Sequence, residues 1–228
     1  MISGVAGDMG LSINYGKSEG VKLLTPVDAP REIAGKETVS FIGHKIDAER
    51  ISMGDTLVAR AKERLSQLIF ANLLQEPLEG HVDWNRFSGL DRDYSVLISQ
   101  IRRYLYGNLR EDELRKYLSR AVPNIHYRGF MSFFPAVDDD ELLKNLDGWL
   151  VTTIYLALRR RAKLLKKLGA SSLPAPHNCD RAGLVGLKVN GVDLSVPSFL
   201  RMSKLLRSAV RAYGANAVAN PKSAYYYG

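Results

Sequence analysis

The sequence predicts an α+β protein: a small antiparallel set of strands, then a mostly helical bundle, then a β-hairpin and a C-terminal helix. Three observations predict it. In the first half, β character is confined to residues 11–46, where apolar and polar residues alternate. From Asp55 to Gly169 the apolar residues recur every three or four positions. "LKVNGVDLSV" (187–196) then sets two alternating runs around Asn190-Gly191, the preferred pair for a tight two-residue hairpin turn.

Taken in order, Leu11 and Ile13 alternate with polar residues, "VKLL" (21–24) follows a Gly-rich turn, and the two prolines of "TPVDAP" (25–30) mark a loop. "VSFIGHKI" (39–46) reads as one strand, with Gly43 as a bulge or a close backbone approach. The first helix carries Leu57, Ala61, Leu65, Leu68 and Ile69, with Asp55 or Thr56 as N-cap and Pro77 beyond its end. A second carries Tyr94, Leu97, Ile98, Ile101 and Leu105 and stops near Gly107. A third, short helix carries Leu114, Tyr117, Leu118 and Ala121. The fourth starts in "DDDELL" (138–143) and ends in "RRRAKLLKKLG" (159–169), acidic first and basic last as the helix dipole favours. "ASSLPAPHNCD" (170–180) reads as a linker, and Pro197 or Ser198 opens a last helix through Phe199, Met202, Leu206 and Tyr213. The division is strands over 1–50, a helical bundle over 51–169, a linker over 170–182, and hairpin, basic helix and Tyr-rich tail over 183–228.

Of 228 residues, 46% are hydrophobic and 25% charged, which argues against disorder along most of the chain. A net charge of +8 favours polyanionic partners, nucleic acid first. One cysteine, Cys179, excludes an intrachain disulfide and a Cys-rich zinc site and fits a reducing cytoplasm. "LDGWLVTTIYLAL" (146–158) is too short to span a bilayer and runs into arginines, so the sequence predicts a soluble cytoplasmic protein without a membrane partner.

Metal chemistry finds little support. No two histidines stand at helical spacing, there is no Gly-rich phosphate loop, and the adjacent ligand types of "HNCD" (177–180) seldom point at one ion. The acidic run "VDDDE" (137–141) leads directly into a helical repeat and reads as an N-cap and first-turn charge. No residue of the chain is therefore assigned as a metal ligand or a cofactor site.

The basic clusters carry more information. Arg159, Arg160, Arg161 and Lys163 crowd one helix end together with Lys166 and Lys167. Arg201, Lys204, Arg207 and Arg211 line one face of the last helix, and Arg102, Arg103 and Arg110 alternate with Tyr104 and Tyr106. Such patterns suit a phosphate backbone and stacked bases, the alternative being a solvated helix face.

"GLSINYGKSEGV" (10–21) followed by "VSFIGHKI" resembles the late palm of bacterial reverse transcriptases of the group II intron maturase, retron and phage-defence kind. There a "GL-x-x-N-x-x-K" strand and turn follow the catalytic hairpin, and an "F-L-G" strand forms the primer grip. "IRRYLYGNL", "IHYRGFMSFFP" and "LDGWLVTTIYLALRRRAKLL" are similar to the helical thumb of the same family, so the resemblance covers roughly residues 9–168.

The resemblance implies that 1–50 are palm strands, 51–169 a thumb, and the whole the C-terminal part of an RNA-directed DNA polymerase that grips an RNA or DNA primer-template. Lys17 matches a lysine that stabilises charge near the incoming nucleotide, and Phe41, Ile42 and Gly43 match the primer grip. The family's Tyr-x-Asp-Asp hairpin, which holds Mg²⁺ in a complete polymerase, is expected before Met1 or on another polypeptide carrying the fingers and catalytic palm. A non-catalytic nucleic-acid-binding module and a structural subunit remain the alternatives. Tyr225, Tyr226 and Tyr227 of the tail are read either as nucleophiles for protein priming or, preferably, as an aromatic anchor.

Overall fold

The structure, a computed structural model, describes residues 23–25, 35–107, 109–122, 125, 127–214 and 218. Helix accounts for about 58% of it, beside small sheets. Strands β1 (Leu23–Leu24) and β2 (Gly35–Lys36) pair in parallel, so the antiparallel expectation holds only from Val39 on. There β3 (Val39–Phe41), β4 (His44–Ile46) and β5 (Ile51–Met53) form a three-stranded antiparallel meander in that order.

The run read as one strand is therefore a hairpin, with Phe41 opposite His44 across a two-residue turn. Ile42 has φ +44° and Gly43 φ +78°, the left-handed pair that such a turn demands. A Cβ at Gly43 would lie 2.3 Å from Leu57 Cδ1, so glycine serves both the turn and the packing. An apolar Ile at the first turn position hides the turn from sequence reading.

Helix α1 (Asp55–Ile69) starts one residue after its N-cap, Gly54, which offers no side chain for capping. Asp55 is thus the first helical residue rather than the cap. The helix does not stop before Pro77 either. It widens into a π-helical turn, Phe70–Leu74, and restarts as α2 (Gln75–Leu78) with Pro77 buried inside. Having no N–H, Pro77 leaves the Leu73 carbonyl, four residues earlier, without a helical donor. The wide turn lets Leu73 and Leu74 both face the core.

A 3₁₀ turn (Trp84–Phe87) leads to α3 (Arg92–Tyr106), which Gly107 ends at φ +66°. Helix α4 (Glu111–Leu118) follows, its start held by the Glu113 carboxylate on the Arg110 N–H at 2.8 Å. Two glycines join α3 to the segment after α4. A Cβ on Gly107 would stand 1.6 Å from the Arg128 carbonyl oxygen, and one on Gly129 2.4 Å from the Gly107 nitrogen.

Helix α5 (Asp140–Lys167), about 42 Å long at 1.5 Å per residue, is the axis of the bundle. Its buried stripe, Leu143, Leu146, Leu150, Ile154 and Leu158, belongs to one continuous core shared with α1, α3 and α7 (Phe199–Tyr213). Between α5 and α7 come α6 (Arg181–Val185) and a hairpin of β6 (Lys188–Val189) and β7 (Val192–Asp193), turning at Asn190 and Gly191 as read from sequence. Among the described residues no helix is long and apolar enough to cross a membrane.

Candidate nucleic-acid interface

The structure sorts the predicted cations into those that hold the fold and those that face outward. Arg161 is the clearest reassignment: at 1% exposure it lies inside the bundle. Its Nε donates to Asp91 Oδ2 at 2.7 Å and its Nη2 to Asp93 Oδ2 at 2.5 Å, while Nη1 reaches the Leu73 carbonyl at 2.8 Å. That carbonyl belongs to the π-helical turn. The guanidinium also covers the Phe87 ring, 5.3 Å from its centroid. Sequence carried a signal for this: Arg161 continues the phase of Ile154 and Leu158, the apolar face of α5.

Asp91 also fixes the segment read as a linker. His177 Nε2 sits 2.9 Å from Asp91 Oδ2, and since an ionised carboxylate only accepts, Nε2 carries the proton. The Asp91 N–H donates to the Ala175 carbonyl at 2.9 Å. Residues 174–180 are accordingly docked on the start of α3 and are not a free tether. Burial alone would raise the Asp91 carboxyl; the His177 hydrogen bond and the Arg161 charge outweigh it and hold the group below its usual 3.8. Of the four ligand types of "HNCD", His177 goes to Asp91 and Asp180 caps α6 at the Gly183 N–H, 2.6 Å away, while the Cys179 thiol faces the Asn178 amide oxygen.

Helix α7 presents its basic residues to acid already in place. Arg201 Nε lies 3.5 Å from Glu111 Oε1, Lys204 Nζ 3.2 Å from Asp140 Oδ2, and Arg207 Nη2 2.5 Å from Asp140 Oδ1. The predicted stripe is thus largely offset by the acidic first turns of α4 and α5, and Arg211 remains exposed beyond it. Arg102 is likewise structural: it donates to the Asp193 and Ser195 carbonyls at 2.8 and 3.1 Å and pins the hairpin to α3. Of the interleaved tyrosines, Tyr106 is buried with its hydroxyl on the Ser198 carbonyl at 2.8 Å, and Tyr104 stacks on Phe130. Neither presents the stacking surface read from sequence, although Arg103 and Arg110 stay exposed, Arg110 with Asp112 at 2.9 Å.

The acidic run is a helix start, as read from sequence, and also something sequence did not reveal. Asp139 accepts from the Leu142 N–H at 3.0 Å, while its second oxygen takes the Ser52 hydroxyl and Asp138 accepts from the Ile51 N–H at 2.7 Å. The run therefore ties β5 to α5. With Asp140 held by Lys204 and Arg207, these carboxylates do not fit a Mg²⁺ site.

The basic end of α5 is unoffset among the described residues. Arg159, Arg160, Lys163, Lys166 and Lys167 are all exposed and, among the described residues, have no acidic partner. At about 100° per residue they fall within an arc of about 120°, opposite Arg161. The same side of α5, one to two turns earlier, forms the wall of an open cleft of about 600 Å³ lined by Thr152, Tyr155, Leu156, Asp180, Arg181 and Ala182. Sequence reading missed this cleft, although Leu156, 59% exposed on an otherwise amphipathic helix, is the residue that flags it.

Of the residues matched to the primer grip, Phe41 and Ile42 stand at the hairpin tip, 63% and 79% exposed, with Gly43 as its turn. Lys17, Tyr225, Tyr226 and Tyr227 lie outside the described residues. Compared with known proteins, the chain matches no family model, no curated protein and no solved structure.

Proposed function

We propose that the chain grips nucleic acid through the basic end of α5, as the palm-end and thumb part of an RNA-directed DNA polymerase whose catalytic aspartates lie outside it. The observation that carries the reading is the contrast between two basic helices. Arg201, Lys204 and Arg207 of α7 meet acidic partners, whereas Arg159, Arg160, Lys163, Lys166 and Lys167 meet none among the described residues and share one face. An unoffset cationic face on a rigid helix attracts phosphates and releases their counterions. The primer-template role rests on the ordered motifs of residues 10–46 and on the helical bundle that follows them. The exposed apolar tip at Phe41 and Ile42 favours a second reading, a structural subunit or non-catalytic binding module seated on another polypeptide.

The test is the salt dependence of binding to a primer-template duplex, measured by fluorescence anisotropy. Arg159→Glu with Arg160→Glu should weaken binding and flatten the plot of log affinity against log salt by about 0.9 for each phosphate no longer neutralised. An unchanged slope would make this face a solvated helix end. Mg²⁺-dependent primer extension by the chain alone is not expected, and its appearance would contradict the assignment of the catalytic aspartates elsewhere.

A further inference from the structure

We propose that the cleft beside the basic end of α5 receives an unpaired nucleobase, so that this surface holds single-stranded nucleic acid with its phosphates on Arg159, Arg160 and Lys163. The inference rests on the nucleic-acid reading above and adds that an unpaired stretch of a primer-template is held beside its duplex.

The walls argue for a base rather than a phosphate. Tyr155 and Leu156 supply an aromatic ring and an apolar side chain, and Arg181 adds a planar cation that stacks on π faces. Asp180 stands in the same cleft. Its Oδ1 accepts from the Gly183 N–H, whereas its second oxygen has no partner among the described residues. A carboxylate there repels phosphate and accepts from the exocyclic amine or ring N–H of a base. The volume of about 600 Å³ lies within the usual range for small-ligand sites.

The phosphate track starts where the cleft ends. Arg159 follows Tyr155 by four residues and Leu156 by three, one turn of about 5.4 Å, and Lys163 follows by one turn more. A strand entering with its base between Tyr155 and Arg181 therefore runs its backbone directly onto the unoffset cations. In a duplex the bases are already stacked and paired, so none is available to the cleft.

The experiment compares three probes on the full chain: a single-stranded oligonucleotide, the same backbone with abasic sites, and a duplex of equal length. The base-bearing strand should bind about five- to tenfold more tightly than the abasic one. Tyr155→Leu, which keeps apolar bulk at a half-buried position, and Ala182→Leu, which narrows the cleft from an exposed position, should each bring that ratio close to one while the salt slope persists. Equal binding of base-bearing and abasic strands by the unaltered chain would overturn the inference. If duplex binding and its sensitivity to Arg160→Glu survive that result, only the base cleft fails. If no probe binds, the nucleic-acid reading falls with it.

Discussion

Arg161 and Asp91, seventy residues apart in sequence, meet inside the bundle as a two-point ion pair, Nε to Oδ2 at 2.7 Å and Nη2 to Oδ1 at 3.2 Å. The pair gathers three segments at one point: the end of α5, the start of α3 and, through His177, the docked 174–180 stretch. Such a pair is weak evidence of net stabilisation, since both ions left water to form it, but breaking one half leaves the other charged and buried.

Arg161→Ala should therefore destabilise the fold by about 3–5 kcal/mol, read from the urea midpoint. Arg161→Lys should also destabilise it, because an ammonium cannot reproduce the fork that reaches Asp91, Asp93 and the Leu73 carbonyl together. Arg160→Glu, one residue earlier on the exposed side, should leave the midpoint within about 0.5 kcal/mol. Equal losses at both positions would contradict the burial assigned to Arg161.

Acid should weaken this junction. Asp91 is held below 3.8 in the fold, so its contribution is complete above that value and is lost as pH falls through the lower folded value. The urea midpoint of the unaltered chain should drop on acidification below about pH 4. Asp91→Asn should be less stable at neutral pH and show a shallower drop, which a set of denaturation curves across pH 2–6 would check.

Asp147 predicts the opposite sign. Burial pushes this carboxyl up, and the hydrogen bonds from Ser198 and Phe199 only partly offset it. Its folded state favours the proton, so stability is lost as pH rises from 3.8 through the raised value. Its oxygens take the Ser198 hydroxyl and the Phe199 N–H at 2.5 and 2.6 Å, so a side chain about two turns into α5 caps the start of α7. Asp147→Ala should cost about 1–2 kcal/mol. Asp147→Asn should cost less, because an amide oxygen still accepts one of these bonds, and should remove this part of the pH dependence.

Gly107→Ala should be among the most damaging single methyl additions in the protein. The residue sits at φ +66°, and the new carbon would stand 1.6 Å from the Arg128 carbonyl oxygen. A loss above about 2 kcal/mol, or failure to fold, is expected. Gly148→Ala on α5, where an added carbon meets nothing within 4 Å, should instead be neutral or stabilising by up to about 1 kcal/mol.

The long elements were legible because each announces itself locally. Leu143 to Leu165 keep one phase, Asp139 caps and Gly169 ends the helix, and Asn190-Gly191 makes its turn without help from elsewhere. What sequence concealed depends on partners distant in the chain. Ile42-Gly43 turns although isoleucine disfavours a left-handed backbone, with Gly43 packed against Leu57 of the following helix. Pro77 looked like a stop because the widening at Phe70–Leu74 carries no residue signature. The basic residues of α5 and α7 look alike in one dimension. Only the fold reveals that Glu111 and Asp140 stand opposite α7 and that, among the described residues, nothing acidic stands opposite Arg159 and Lys163.

The bonds that join α3 to the end of the hairpin also set a timetable for biosynthesis. Tyr94, Arg102 and Tyr106 find their partners at Leu194, Asp193 and Ser198, which follow them by 100, 91 and 92 residues. At about 5–20 residues per second, a ribosome delivers those partners about 5–20 seconds after α3 has emerged. During that interval the polar ends of these three side chains must turn to water. The junction between α3 and the hairpin closes only when residues 193–198 have been made.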